Sequence, residues 1–107
     1  MKTQVHEQIE ILKNTLKEKF AIKQIFVFGS HAYGEPDNES DIDVCVITDL
    51  KNKRKIDMIR EIRRELIHLI FNPLDILVYS ENEFKERAGL TSTLEHKILM
   101  SGLKVYG

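Results

Sequence analysis

The chain has 107 residues, 42% hydrophobic and 31% charged, with a formal net charge of −1 at neutral pH. That size and balance suit one domain, residues 1–107, with a modest core, and exclude a disordered chain. A net charge so near zero excludes global attraction to nucleic acid or to an anionic membrane, so any anion must be held locally.

The single cysteine, Cys45, rules out an internal disulfide, which suits a reducing compartment. The opening MKTQVHEQIEILKN lacks the apolar stretch of a signal peptide. No apolar run approaches the ~18 residues that span a bilayer, so a cytoplasmic protein without a membrane segment is expected.

Val5, Ile9, Leu12 and Leu16 recur at helical spacing and predict an amphipathic helix over about residues 3–19. QIFVF, Gln24 to Phe28, is β-branched and aromatic and predicts a buried strand ending at Gly29. A polar loop follows. It is longer than a hairpin needs, and such loops are often functional.

DIDVCVI, Asp41 to Ile47, predicts a second strand. Ile42, Val44 and Val46 share one face, and Asp41, Asp43 and Cys45 the other. Asp49 and Asn52 are candidate caps for a helix over about 53–71, with an apolar stripe of Ile56, Ile59, Ile62, Leu66 and Leu69 or Ile70. Asn72-Pro73 stops it. LDILVY, Leu74 to Tyr79, predicts a third strand.

Ser80 and Glu83 have capping-box spacing ahead of a short helix that Gly89 ends. Ser92 and Glu95 repeat that spacing ahead of a helix over about 94–101, with Gly102 at its C-terminal end. LKVY closes the chain as an edge strand. The expected fold class is α+β, a small mixed sheet packed by helices on one face, with three aspartates on one face of the sheet.

Two carboxylates two residues apart on a strand leave the same face, with Cα atoms about 6.6 Å apart. Such a pair can reach one hard cation or bridge two, and magnesium takes oxygen ligands and substrate phosphates. Gly29 allows a sharp turn or a close ligand. If residues 31–33 form a helical turn, free N–H groups near Ser30 and the Ser30 hydroxyl form an anion site, and Gly34 lets the chain leave it. Asp75 interrupts an apolar strand, and a buried, unpartnered aspartate is costly. Beside Asp41 and Asp43 it could ligate a second metal or take a proton from an attacking hydroxyl.

Each feature has a plainer reading. Asp41 and Asp43 could end a solvated strand edge, and Asp75 could cap the turn after Pro73. Gly29-Ser30 could be a simple turn, and His31 a surface histidine. The cluster Lys51, Lys53, Arg54, Lys55, Arg60, Arg63 and Arg64 is interleaved with Asp57, Glu61 and Glu65. It reads as a solvated, ion-paired helix face. A docking face for an acidic partner or tRNA is the alternative. No aromatic residues alternate with these charges, so single-strand stacking is not supported and nucleic acid is not an expected partner.

Gly29-Ser30, ten residues, then Asp41-Ile42-Asp43 resembles the signature of the nucleotidyltransferase superfamily that includes DNA polymerase beta. FGSHAYGEPDNESDIDVCVI is similar to its small stand-alone members, the minimal nucleotidyltransferase (MNT) proteins. The leading helix, Asp75 and the closing ILMSGLKVYG extend the resemblance along essentially the whole chain.

The resemblance implies a nucleotidyltransferase fold, with Asp41, Asp43 and Asp75 catalytic and holding Mg²⁺ or Mn²⁺. Gly29, Ser30 and His31 would bind the nucleotide, ATP or another NTP. The implied reaction moves a nucleoside monophosphate to a hydroxyl and releases pyrophosphate. The implied acceptor is a side chain of a HEPN-type helical partner protein, in an antitoxin role, and a homo-oligomer is compatible with the pattern. The family often has arginine where this chain has His31 and Tyr33. The rival readings are transfer to a small molecule such as an aminoglycoside, and a non-catalytic nucleotide- or toxin-binding module.

Overall fold

A computed structural model describes residues 2–33 and 41–107. In chain order the elements are α1 (Lys2–Lys19), β1 (Ile22–Phe28), α2 (Ser30–Tyr33), β2 (Ile42–Thr48), α3 (Lys55–Leu66), β3 (Leu74–Tyr79), α4 (Glu81–Ala88), α5 (Leu94–Ser101) and β4 (Leu103–Tyr106). One four-stranded sheet runs β3-β2-β1-β4. β2 and β3 are parallel, which needs a crossover, and α3 supplies it. β1 is antiparallel to both β2 and β4. The result is the mixed sheet of an α+β fold, with LKVY on its edge as expected.

The strands sort their side chains between two cores. Ile25, Val27, Ile42, Val44, Val46, Ile76 and Val78 meet Val5, Ile9, Leu12 and Leu16 of α1 and Met58, Ile62 and Leu66 of α3. Phe26, Phe28, Cys45, Ile47 and Tyr79 meet Phe84 and Ala88 of α4 and Ile98 of α5. Helices therefore cover both faces, which corrects the expectation of one. QIFVF is apolar at every position but the first, and such a run has no face to give to water. Each large side chain fully buried here contributes about 1.5–3 kcal/mol.

Three local expectations shift. β1 begins at Ile22, ahead of Gln24, with a bulge between those residues. α3 is capped by neither Asp49 nor Asn52. Asp49 instead accepts from the Lys51 N–H at 3.2 Å, and Leu50 C=O accepts from the Lys53 N–H at 2.8 Å. Lys51 and Asn52 both have positive φ, 47° and 70°, so the segment is a type I′ turn and the helix starts after Arg54. Its buried stripe is Met58, Ile62, Leu66 and, beyond the helix, Ile70, while Ile56 and Leu69 are exposed.

At α4 the Ser80 side chain accepts from the Glu83 N–H at 3.3 Å, as the spacing predicts. Glu83 itself turns away to Lys55 at 2.5 Å and Arg87 at 3.4 Å. At α5 the cap is Thr93, not Ser92, and accepts from the His96 N–H at 3.1 Å. Glu95 is drawn inward instead, where the Tyr79 hydroxyl donates to its Oε2. The basic face of α3 carries the expected ion pairs, Arg54 to Asp57 at 3.0 Å and Lys53 to Glu61 at 2.6 Å. No helix among the described residues is long and apolar enough to cross a membrane.

Candidate active site

Three strands deliver the predicted residues to one rim of the sheet. β1 ends at Phe28, which pairs with Asp43 of β2. Asp43 in turn pairs with Asp75 of β3. Paired residues share a face, so the two carboxylates leave the sheet side by side. Asp41 lies two residues back, just outside β2, and is exposed. Between them Ile42 is fully buried and pins the strand. Its N–H donates to Pro73 C=O at 2.8 Å, which ties the start of β2 to the entry of β3.

Gly29 shows why that position is a glycine. Its φ is +73°, and a Cβ built there would stand 2.0 Å from Asp43 Oδ2. Both the left-handed turn and the Asp43 carboxylate need a residue without a side chain. The chain then winds through α2, where the Ala32 N–H donates to Gly29 C=O at 3.1 Å. This is the helical turn that the anion-site reading requires. The Ser30 side chain and Gly34 lie outside what the structure describes.

Asp43 is half-buried, and its carboxyl is held above the usual aspartate range. Burial is the largest cause, followed by the charges of Asp75 and then Asp41, while His31 pulls the other way. Asp75, Asp41 and His31 are therefore each within electrostatic reach of Asp43. Asp75 is exposed, which corrects the expectation that it is buried in its strand. Cys45, the next residue on the face of Asp43, is buried and its thiol is pushed up to about 12, chiefly by burial.

Among the described residues, no three His, Cys, Asp or Glu side chains stand close enough to hold a metal ion. The oxygen pair that shares a row is Asp43 and Asp75. Its chemistry fits a hard divalent cation, because a cation would offset the like-charge repulsion and burial that now raise Asp43. Sequence patterning does not single out Gln8, a buried polar residue of α1 that bonds to the segment entering β3. The signal was a polar side chain inside the apolar stripe, next to Ile9 and four before Leu12.

The family model described as polymerase beta, nucleotidyltransferase matches residues 10–106. A candidate protein adenylyltransferase of Methanocaldococcus jannaschii is 44% identical over 54 residues, 49% of this chain and 54% of that protein. The match thus spans about half the length of that relative. The crystal structure of a candidate nucleotidyltransferase from Sulfolobus solfataricus aligns with a TM-score of 0.53 at 23% identity, covering 80% of this chain and 72% of that one. A toxin–antitoxin crystal structure with AMP-PNP aligns with a TM-score of 0.50 at 18% identity, covering 99% and 73%. At such identities these two structures speak for the fold alone. With almost the whole chain matched by the family model and its fold shared with such structures, this chain belongs to the polymerase beta nucleotidyltransferase family and is a nucleotidyltransferase domain.

Proposed function

We propose that this protein is a divalent-metal-dependent nucleotidyltransferase that moves AMP from ATP to a hydroxyl on a protein side chain. The observation that carries the reading is the row Phe28–Asp43–Asp75, with Gly29 shaped around the Asp43 carboxylate. Asp43 and Asp75, the pair that shares a row, would hold Mg²⁺ or Mn²⁺, with Asp41, two residues before Asp43, as the third carboxylate of the rim. When bound, the metal neutralises charge on the phosphates.

Every other part belongs to the chain. Gly29, Ser30 and His31 line the turn where the phosphates would lie. Asp75 is exposed on its strand, and in this reading it would orient the acceptor hydroxyl and take its proton. The hydroxyl oxygen attacks the α-phosphorus in line, and the bond from that phosphorus to the bridging oxygen of the leaving pyrophosphate breaks. The products are an adenylylated side chain, pyrophosphate and a proton.

A protein acceptor is supported by the M. jannaschii relative, which is named as a protein adenylyltransferase. An antitoxin role is part of this reading, in keeping with a structure titled as a toxin–antitoxin in which a chain shares this fold. The acceptor in this reading is a side chain of a HEPN-type helical partner. In this reading residues 1–107 form one domain and the reaction takes place in the cytoplasm, with a homo-oligomer compatible with it.

The test uses ATP labelled at the α or the γ phosphate, with Mg²⁺ and an extract of the source cells. A protein band labelled only from α-labelled ATP supports AMP transfer. Label from the γ position would contradict it, and label confined to a small molecule would move the acceptor away from protein.

A further inference from the structure

Gln8 is 3% exposed on the buried face of α1. Its Oε1 accepts from the Phe71 N–H at 2.8 Å and from the Asn72 N–H at 3.1 Å. Its Nε2 donates to Asn72 Oδ1 at 2.9 Å. One side chain thus holds a segment that lies 63 and 64 residues away in sequence. The chain continues directly into the site. Pro73 C=O accepts from the N–H of Ile42, which lies between Asp41 and Asp43. Leu74 then pairs with Ile42, and Asp75 with Asp43.

We propose that Gln8 is a positioning residue that fixes the Phe71–Pro73 segment and thereby sets the spacing of Asp43 and Asp75. The proposal rests on the reading of those aspartates as the active site. The Phe71 side chain is 81% exposed and adds little packing, and Pro73 has no N–H to donate. An apolar residue at position 8 would leave the part-buried Phe71 and Asn72 N–H groups without that acceptor. A shorter amide would fall one methylene short of them. The amide is needed whole, because it accepts twice on one atom and donates from the other.

The experiment compares wild type with Gln8→Met and Gln8→Asn at a temperature where circular dichroism shows each folded. Amide exchange by NMR and Mn²⁺ affinity by electron paramagnetic resonance are read on each. In Gln8→Met the Phe71, Asn72 and Ile42 amides should exchange about tenfold faster or more, with Val27 of β1 unchanged. The Mn²⁺ dissociation constant should rise about tenfold. If Phe71 and Asn72 open while Ile42 and the Mn²⁺ affinity keep wild-type values, Gln8 anchors only a loop and the proposal falls. Should Gln8→Met fail to fold, the same outcomes are read on Gln8→Asn. Asp43→Asn is the control. If it binds Mn²⁺ as wild type does, the site reading is what fails, and the Ile42 amide alone decides the role of Gln8.

Discussion

Replacing Gly29 with alanine should damage stability through one identifiable atom. The built Cβ lies 2.0 Å from Asp43 Oδ2, and ordinary contact begins at 3.4 Å, so the carboxylate must retreat by about 1.4 Å. The left-handed φ of +73° costs a non-glycine residue about 1–2 kcal/mol. The collision adds about 1–3 kcal/mol, as overpacking does elsewhere. Urea unfolding of wild type, Gly29→Ala, Asp43→Ala and the double variant separates the two. Gly29→Ala alone should cost about 2–5 kcal/mol. In the Asp43→Ala background only the backbone cost of about 1–2 kcal/mol should remain. Because a misplacement near 1 Å can cost about a hundredfold in rate, Gly29→Ala should also nearly silence transfer. Costs that add to within about 0.5 kcal/mol would refute the contact between Gly29 and Asp43.

Burial and like charge hold Asp43 above the unfolded aspartate value of about 3.9, so its contribution to stability is complete below that pH. It is lost as pH rises through the raised folded value, so Asp43→Asn should gain stability over wild type between pH 4 and 7, read from paired denaturant curves. A gap that stays constant over that range would contradict the assignment. Tyr79→Phe should cost about 1–3 kcal/mol in the same assay, because it strands the buried Glu95 carboxyl that the tyrosine hydroxyl serves. A loss under about 0.5 kcal/mol would show that Glu95 finds another donor. Cys45, fully buried with its thiol pushed up to about 12, should resist a disulfide reagent at pH 8 until the protein opens. Prompt labelling of the native protein would contradict that burial.

Much of the frame was legible because strand alternation is a local property. DIDVCVI places its even positions in one core and its odd positions in the other or at the rim, as its pattern predicts. Gly29 before a helical turn was legible for the same reason. What escaped depends on partners distant in sequence. The second layer of helices shows only in the both-sided apolarity of QIFVF, whose partners α4 and α5 lie far along the chain. The stripe of α3 is phased on Met58 rather than on Ile56, because Met58 faces the core and Ile56 faces solvent. Ser92 and Glu95 matched a capping box, but Thr93 caps α5 and Tyr79 captures Glu95. No local rule foretells that a glutamine in α1 will bond to residues just ahead of β3. Nor does one reveal that Asp75 is exposed, since an aspartate in an apolar strand looks buried until the sheet edge is known.

The measurement that bears most directly on the central claim is AMP transfer by three single variants, Asp41→Asn, Asp43→Asn and Asp75→Asn, beside wild type. Each is assayed with α-labelled ATP and Mg²⁺, and each is first shown to be folded by its circular dichroism and thermal transition. The account predicts that wild type transfers label to protein and that Asp43→Asn and Asp75→Asn lose about a hundredfold or more in rate while staying folded. Asp41→Asn should fall with them. Wild-type transfer by a folded Asp43→Asn protein would contradict the assignment of this rim as the active site.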